Sequence, residues 1–202
     1  MTAKPSRQPT EDRQAEIVLT LLRLAAGRSA LDITTSDIAQ AMNLSQGALF
    51  RHFPTKEAMR LAVVAWIETE LLQRLDAARA SASSPVDALR AMFLAHVDFF
   101  IAHPGVPRFI FGELQQADRT PLKERVRELM ARYRERLAAV LDAASAAGLI
   151  RPGTDHAAAA ALFLGAIQGL VIQSMVSGSV DGMRAQAEAV FGLYVQGLEA
   201  QP

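Results

Sequence analysis

Hydrophobic residues recur along this chain every three or four positions and hardly ever alternate, a pattern that predicts helices and no strands. A first helix is expected over residues 11–26, where Ile17, Leu21, Leu24 and Ala25 mark one apolar face and Gly27 supplies the stop. A short second helix begins at Thr34, whose hydroxyl forms a capping box with Asp37, and ends near Met42. Asn43 and Leu44 make a turn, Ser45 caps a third helix, and Pro54 closes it. Thr55 starts a long fourth helix that runs to about Ala80. After the small-residue break at Ser81–Pro85, Ser84 caps a fifth, which Pro104 and Gly105 end. A short sixth covers roughly Val106 to Gln116, and a seventh runs from Thr120 and Pro121 to Gly148. Thr154 or Asp155 begins an eighth that stops before Gly178, and the last spans about Gly182 to Glu199. The expectation is an all-α protein of about nine helices with short connections.

The eighth helix contains Ala157–Val176, twenty residues without a charge and with Gly165 and Gly169 at GxxxG spacing. Its length and composition suit a membrane span. Gln168 and Gln173 interrupt it, no Lys/Arg cluster flanks it, and it stands alone in the chain. It therefore reads as a helix with one face on the core and the other on a partner subunit, with no membrane involved. The two glycines would let a partner helix approach closely.

Composition narrows the class further. The chain has 202 residues, half of them hydrophobic, which suits one or two folded domains. It has no cysteine, so disulfides and thiolate metal sites are excluded. Residues 1–10, MTAKPSRQPT, are polar and lack the apolar run of a signal peptide; a flexible tail carrying Lys4 and Arg7 is expected. Net charge is zero, but residues 1–60 carry 8 basic and 6 acidic side chains against 13 and 15 in residues 61–202. That small bias points toward a nucleic-acid contact at the N-terminal end. No nucleophile elbow, phosphate loop or useful carboxylate pair is present, so an enzyme is not expected, and no cofactor. His96 and His103 are seven apart with no third ligand evident, so no metal site is expected either.

The second and third helices, two short segments joined by a tight turn, form a helix-turn-helix pattern whose second member enters the DNA major groove. In LSQGALFRHF, Leu44–Phe53, the N-terminal end is bare and the other end heavy. Gly47 and Ala48 permit close approach to base edges, and Gln46 has the bidentate amide that pairs with adenine. Ser45 and the free N–H groups of the helix start favour a phosphate. Leu49 and Phe53 would pack beneath, and by residue type Phe50 reads as core as well. Arg28 reads as a surface charge. Lys56 opposes the dipole of the fourth helix, which makes a phosphate partner attractive.

Ile33–Met59, ITTSDIAQAMNLSQGALFRHFPTKEAM, resembles the DNA-binding signature of the TetR/AcrR family of bacterial transcriptional regulators. The resemblance lies in Thr34, Asp37-Ile38-Ala39, Leu44-Ser45, Gly47, Phe50, His52-Phe53 and Thr55-Lys56-Glu57. It implies phosphate contacts for Thr34, Ser45, His52 and Lys56, and base-edge positions for Gln46, Gly47, Ala48 and Arg51. Phe50 stands where the family usually has tyrosine and has no hydroxyl to offer a phosphate.

The same resemblance implies an N-terminal three-helix DNA-binding domain at residues 11–54 and a helical regulatory and dimerisation domain at 55–202. Expected partners are a palindromic double-stranded DNA operator, a second copy of the chain, and a small, often apolar effector that releases a repressor in the bacterial cytoplasm. Candidate effector contacts are Trp66, Glu70, Phe93, His96, Phe100, Phe109, Tyr133, Phe163 and Gln168, an aromatic set with a few polar groups. Candidate dimer contacts on the last two helices are Gly165, Gly169, Leu170, Met175, Phe191 and Tyr194. Two alternatives stand beside this reading: an effector-independent DNA-binding protein of chromosome organisation, and a helical carrier or enzyme for apolar molecules.

Overall fold

Side-chain caps set several of the helix starts. In the computed structural model, which describes residues 10–199, the Thr34 hydroxyl accepts the Asp37 amide while Asp37 accepts the Thr34 amide, a complete capping box. Ser45 accepts the Ala48 amide, Ser84 accepts that of Asp87, and Asp155 accepts those of Ala157 and Ala158. Of the two residues expected to open the eighth helix, Asp155 is the cap, and Thr154 bonds back to the Arg151 carbonyl.

The described residues form α1 Thr10–Ala25, α2 Thr35–Ala41, α3 Gln46–Phe50, α4 Lys56–Ala80 and α5 Pro85–Ala102. There follow α6 Gly105–Leu114, α7 Pro121–Ala146, α8 His156–Ser177 and α9 Met183–Leu198. The architecture is all-α. Lys4 and Arg7 of the expected tail lie outside the described residues.

α3 is shorter than expected. It ends at Phe50, and the chain turns through Arg51 and His52 so that Phe53 drops into the core just before Pro54. A residue before proline is driven out of helical conformation, which accounts for the early stop. The turn between α2 and α3 closes with Asn43 in the left-handed region, φ 54°, and with the Leu44 amide donating to the Ala39 carbonyl at 2.8 Å.

Two compact units emerge. The first holds the described residues up to Ile67 together with His103–Val126; the second holds Glu68–Ala102 and the described residues from Arg127 onward. Their boundary thus runs through α4 and α7, and α6 joins the first unit. In the first unit α1 packs against α2 and α6, around Ile17, Leu21, Ile38, Leu49, Phe53, Met59, Val63 and Phe109. In the second, α5 and α8 pack against α9 around Phe93, Val97, Phe163, Ile167, Phe191 and Tyr194.

α6 reaches α1 through a point where no side chain fits. A Cβ on Gly105 would sit 1.8 Å from the Leu22 carbonyl oxygen and 2.8 Å from its carbon. Both are backbone atoms within α1 and cannot swing aside. Gly105→Ala is expected to lower stability by about 1–3 kcal/mol through overpacking, read as a fall in the urea midpoint without a change in slope.

Candidate nucleic-acid interface

α3 presents two unlike faces. Leu49 is wholly buried and Phe53 nearly so, and they seat the segment on the first unit's core. Gln46, Gly47, Phe50 and Arg51 are exposed, and Ala48 is half-buried. Phe50 is 41% exposed, which corrects the reading of that ring as core. The anchoring role belongs to Leu49 and Phe53 alone.

The polar residues around this face are positioned by bonds within the unit. The Gln46 side-chain amide donates to the Ser36 hydroxyl on α2, which turns it toward a fixed direction. Ser36 was not singled out from the sequence, because a serine ten residues away carries no local signal. Gln14 of α1 donates to the His52 carbonyl at 2.9 Å and ties α1 to the end of the α3 turn. Arg28 pairs with Asp37 at 3.1 Å, so it is more than a solvated charge. The Thr34 amide and hydroxyl, followed by the Arg28 guanidinium, hold the Asp37 carboxyl down at about 2.

These bonds change the roles expected for two phosphate candidates. The Thr34 hydroxyl gives its proton to Asp37 at 2.7 Å, so as placed it donates to the cap and not outward. His52 has its Nδ1 buried without a hydrogen-bond partner among the described residues, which keeps that nitrogen away from a phosphate. Ser45 and Lys56 remain candidates for a phosphate. The Ser45 oxygen accepts the Ala48 amide and its proton remains to be given. Lys56 reaches the Leu31 carbonyl at 3.4 Å, and burial together with the nearby Arg60 charge pulls its pKa down.

Behind this face, Arg60 of α4 pairs with Glu113 of α6, which is 2% exposed. Gln116 donates to the other Glu113 oxygen at 2.9 Å, and the Arg60 guanidinium lies 6.0 Å from the centre of the Phe109 ring. Burial lowers the Arg60 pKa.

The residues expected to meet an effector separate into groups. In the second unit, His96 Nδ1 and the Tyr133 hydroxyl share a 3.0 Å hydrogen bond, both groups buried. Phe100 stacks 4.5 Å from His96, and Phe93 and Phe163 meet edge to face at 5.1 Å. Glu70 pairs with Arg74 at 3.8 Å. Gln168 is exposed on α8, one residue past the buried Ile167, and does not join the rings, a correction to its place in that set. Phe109 and Trp66 belong to the first unit, where Trp66 meets His103 edge-on at 5.1 Å.

The residues expected at a dimer contact also separate into groups. Leu170, Phe191 and Tyr194 are buried within the chain, Tyr194 with its hydroxyl on the Ala159 carbonyl. Met175 is half-buried. The outward stripe of α8 is instead Leu162, Gly165, Gly169, Ile172 and Val176, with Leu193 exposed on α9. A Cβ at Gly165 or Gly169 would meet nothing within 4 Å, so the chain's own packing does not require either glycine. Among the described residues α8 has the length and hydropathy of a membrane span; its Ala159, Phe163, Leu164, Ile167, Leu170 and Val171 nevertheless face the protein core.

Comparison with known proteins places this geometry. The sequence pattern described as "Bacterial regulatory proteins, tetR family" matches residues 17–63, and that described as "Tetracyclin repressor-like, C-terminal domain" matches residues 110–190. The nucleoid occlusion factor SlmA of Haemophilus ducreyi is 29% identical over 124 residues, which are 61% of this chain and 61% of that protein. The match therefore spans about three fifths of the relative's length. Among solved structures, FadR of Bacillus subtilis in complex with stearoyl-CoA superposes with a TM-score of 0.81 at 18% identity, over 92% of this chain and 99% of that one. The fatty acid degradation regulator FadR of Bacillus halodurans gives 0.84 at 17%, over 97% and 100%.

The buried histidine makes its own prediction. Burial holds His96 neutral, with a pKa lowered from 6.5 to about 3. Below pH 6.5 the unfolded chain takes up a proton that the folded one refuses, so stability falls as pH drops from 6.5 toward 3. His96→Gln should flatten the urea-unfolding free energy across that window, by up to about 1.4 kcal/mol per pH unit relative to the parent.

Proposed function

The chain belongs to the TetR family of bacterial regulatory proteins, and on that premise we propose that it is a repressor that binds a palindromic operator as a homodimer and is released by a small apolar effector. The observation that carries the DNA reading is α3 itself: a short helix fastened by Leu49 and Phe53 whose outer face offers Gln46, Gly47, Phe50 and Arg51. Ser45 and Lys56 supply phosphate contacts at its edge. Two such helices in a twofold dimer would meet half-sites about one DNA turn apart, or somewhat more.

The outward stripe on α8, with Leu193 of α9, supports the dimer. Val176 at 83% and Leu193 at 70% exposure are apolar groups that a second copy would cover. Gly165 and Gly169 on the same stripe of α8 would let helices come close. The aromatic group around His96 and Tyr133 supports an apolar effector with a hydrogen-bonding group, and the structural likeness to a regulator solved with stearoyl-CoA agrees with that chemistry. Because α4 and α7 run through both units, a change at the second can be passed to the first along continuous helix. An effector would shift the DNA-binding equilibrium only by its differential affinity for the two states, typically about 1–3 kcal/mol. The protein would act in the cytoplasm, on the nucleoid.

The likeness to a nucleoid occlusion factor favours a second reading, a DNA-binding protein of chromosome organisation without an effector. Many sites across a genome, and no thermal shift with any apolar ligand, would favour it. Few sites and release by a ligand would favour the repressor.

A footprint on DNA flanking the protein's own gene, with and without candidate ligands, tests the central claim, and two variants sharpen it. Gln46→Ala should lower discrimination between operator and random DNA by about 1–3 kcal/mol. Lys56→Ala should weaken binding to all sequences alike and flatten the salt dependence. If Gln46→Ala left operator preference intact, Gln46 would not be a base reader.

A further inference from the structure

The exposed ring of Phe50 has no explanation in the fold. Three residues later Phe53 is buried, so this end of the segment has a core site for one aromatic ring and Phe53 fills it. At about 100° per residue, Phe50 falls between Gln46 and Gly47 around the axis of α3. All three therefore look the same way, and all three are exposed.

Beside the ring lies a gap. A Cβ on Gly47 would meet nothing within 4 Å, and the residue does not take a positive φ, so neither packing nor backbone geometry calls for glycine there. Glycine within a helix is unfavourable relative to alanine. On the other side, the Gln46 amide donates to the Ser36 hydroxyl, which gives it a direction. The face is thus an apolar plate with an open notch on one flank and an oriented amide on the other.

A phenyl ring can neither donate to a phosphate nor pair with the polar atoms of a base edge. The apolar group that base pairs present in the major groove is the 5-methyl of thymine. We propose that Phe50 reads a thymine 5-methyl group, seated in the notch that Gly47 leaves, next to the adenine engaged by Gln46. This assignment rests on the DNA-binding reading above and adds to it the chemistry of one specific contact. It makes Phe50 a specificity-determining residue.

Deoxyuridine gives a direct test, because it removes the methyl and keeps every hydrogen-bonding atom of thymine. Duplexes are enriched from a random-sequence pool with the full chain, and each thymine is then replaced in turn. One position per half-site should weaken parent binding about three- to fivefold, the worth of one buried methyl. At that position Phe50→Ala should bind thymine and deoxyuridine duplexes equally, and Phe50→Leu should keep part of the preference. Gly47→Ala, which has room for its methyl in the free protein, should stay as stable as the parent and still lose the preference. Thermal unfolding of each variant checks that the fold is kept. Equal parent affinity for thymine and deoxyuridine at every position, with sequence-preferring binding retained, would overturn the Phe50 assignment alone. A methyl preference that survives in Phe50→Ala would do the same. If the pool yields no preferred duplex at all, the DNA-binding reading falls and takes this assignment with it.

Discussion

α6 can lie against α1 because residue 105 has no side chain. The backbone at Gly105 comes so close to the Leu22 carbonyl that even a methyl group would overlap it. The place of α6 in the first unit follows from that approach. It draws a helix distant in sequence into the same unit as the helix-turn-helix, places Phe109 in its core, and carries Glu113 to Arg60. A close contact of this kind tolerates little sliding, since interiors pack at the density of organic crystals.

The far end of α6 is held by a different force. A buried ion pair adds little net stability, because desolvation of both charges offsets their attraction. Parting them is another matter, since it would leave an uncompensated Glu113 charge at a cost of about 3–5 kcal/mol. The Arg60–Glu113 pair therefore works as a latch between α4 and α6, while Gln116 satisfies the second carboxylate oxygen. One end of α6 is fixed by shape and the other by charge. The second end is the more readily reset, because a rearrangement there needs only a new partner for each charge.

Much of this was legible in the sequence, and what was legible was local. Capping boxes span three residues, so Thr34 with Asp37 and Ser84 with Asp87 announce their helix starts directly. The helix-turn-helix has the same advantage, with a fixed spacing and a recognisable turn at Asn43. What stayed hidden depends on partners far along the chain. Gly105 reads as a helix stop from its neighbours, and its close approach to Leu22 appears only in three dimensions. The Ser36–Gln46 bond joins two helices, and α8 is apolar nearly all round, so its periodicity could not separate the core side at Leu170 from the outward side at Ile172. Phe50 shows the same limit: residue type alone assigns an aromatic to the core, and only the burial of Phe53 shows that the core place is taken.

The outer face of α3 and the start of α4 differ from the rest of the first unit in being incomplete on their own terms. Lys56 sits at the positive end of a 25-residue helix, and burial, followed by the nearby Arg60 charge, lowers its pKa. Phe50 leaves a ring in water, and Gly47 leaves a helix position bare. Each feature is unfavourable in the free protein, and on the proposed DNA-binding reading each would be relieved by one component of the duplex: a phosphate for the cation, a base methyl for the ring, and the groove floor for the gap. By contrast the charges of Asp37 and Arg28, which face each other, are already matched within the chain. The distinction between satisfied and unsatisfied groups thus separates residues that hold α3 in place from those that act through it. It puts Thr34, Asp37, Leu49 and Phe53 in the first set and makes Phe50 and Lys56 the strongest candidates for the second.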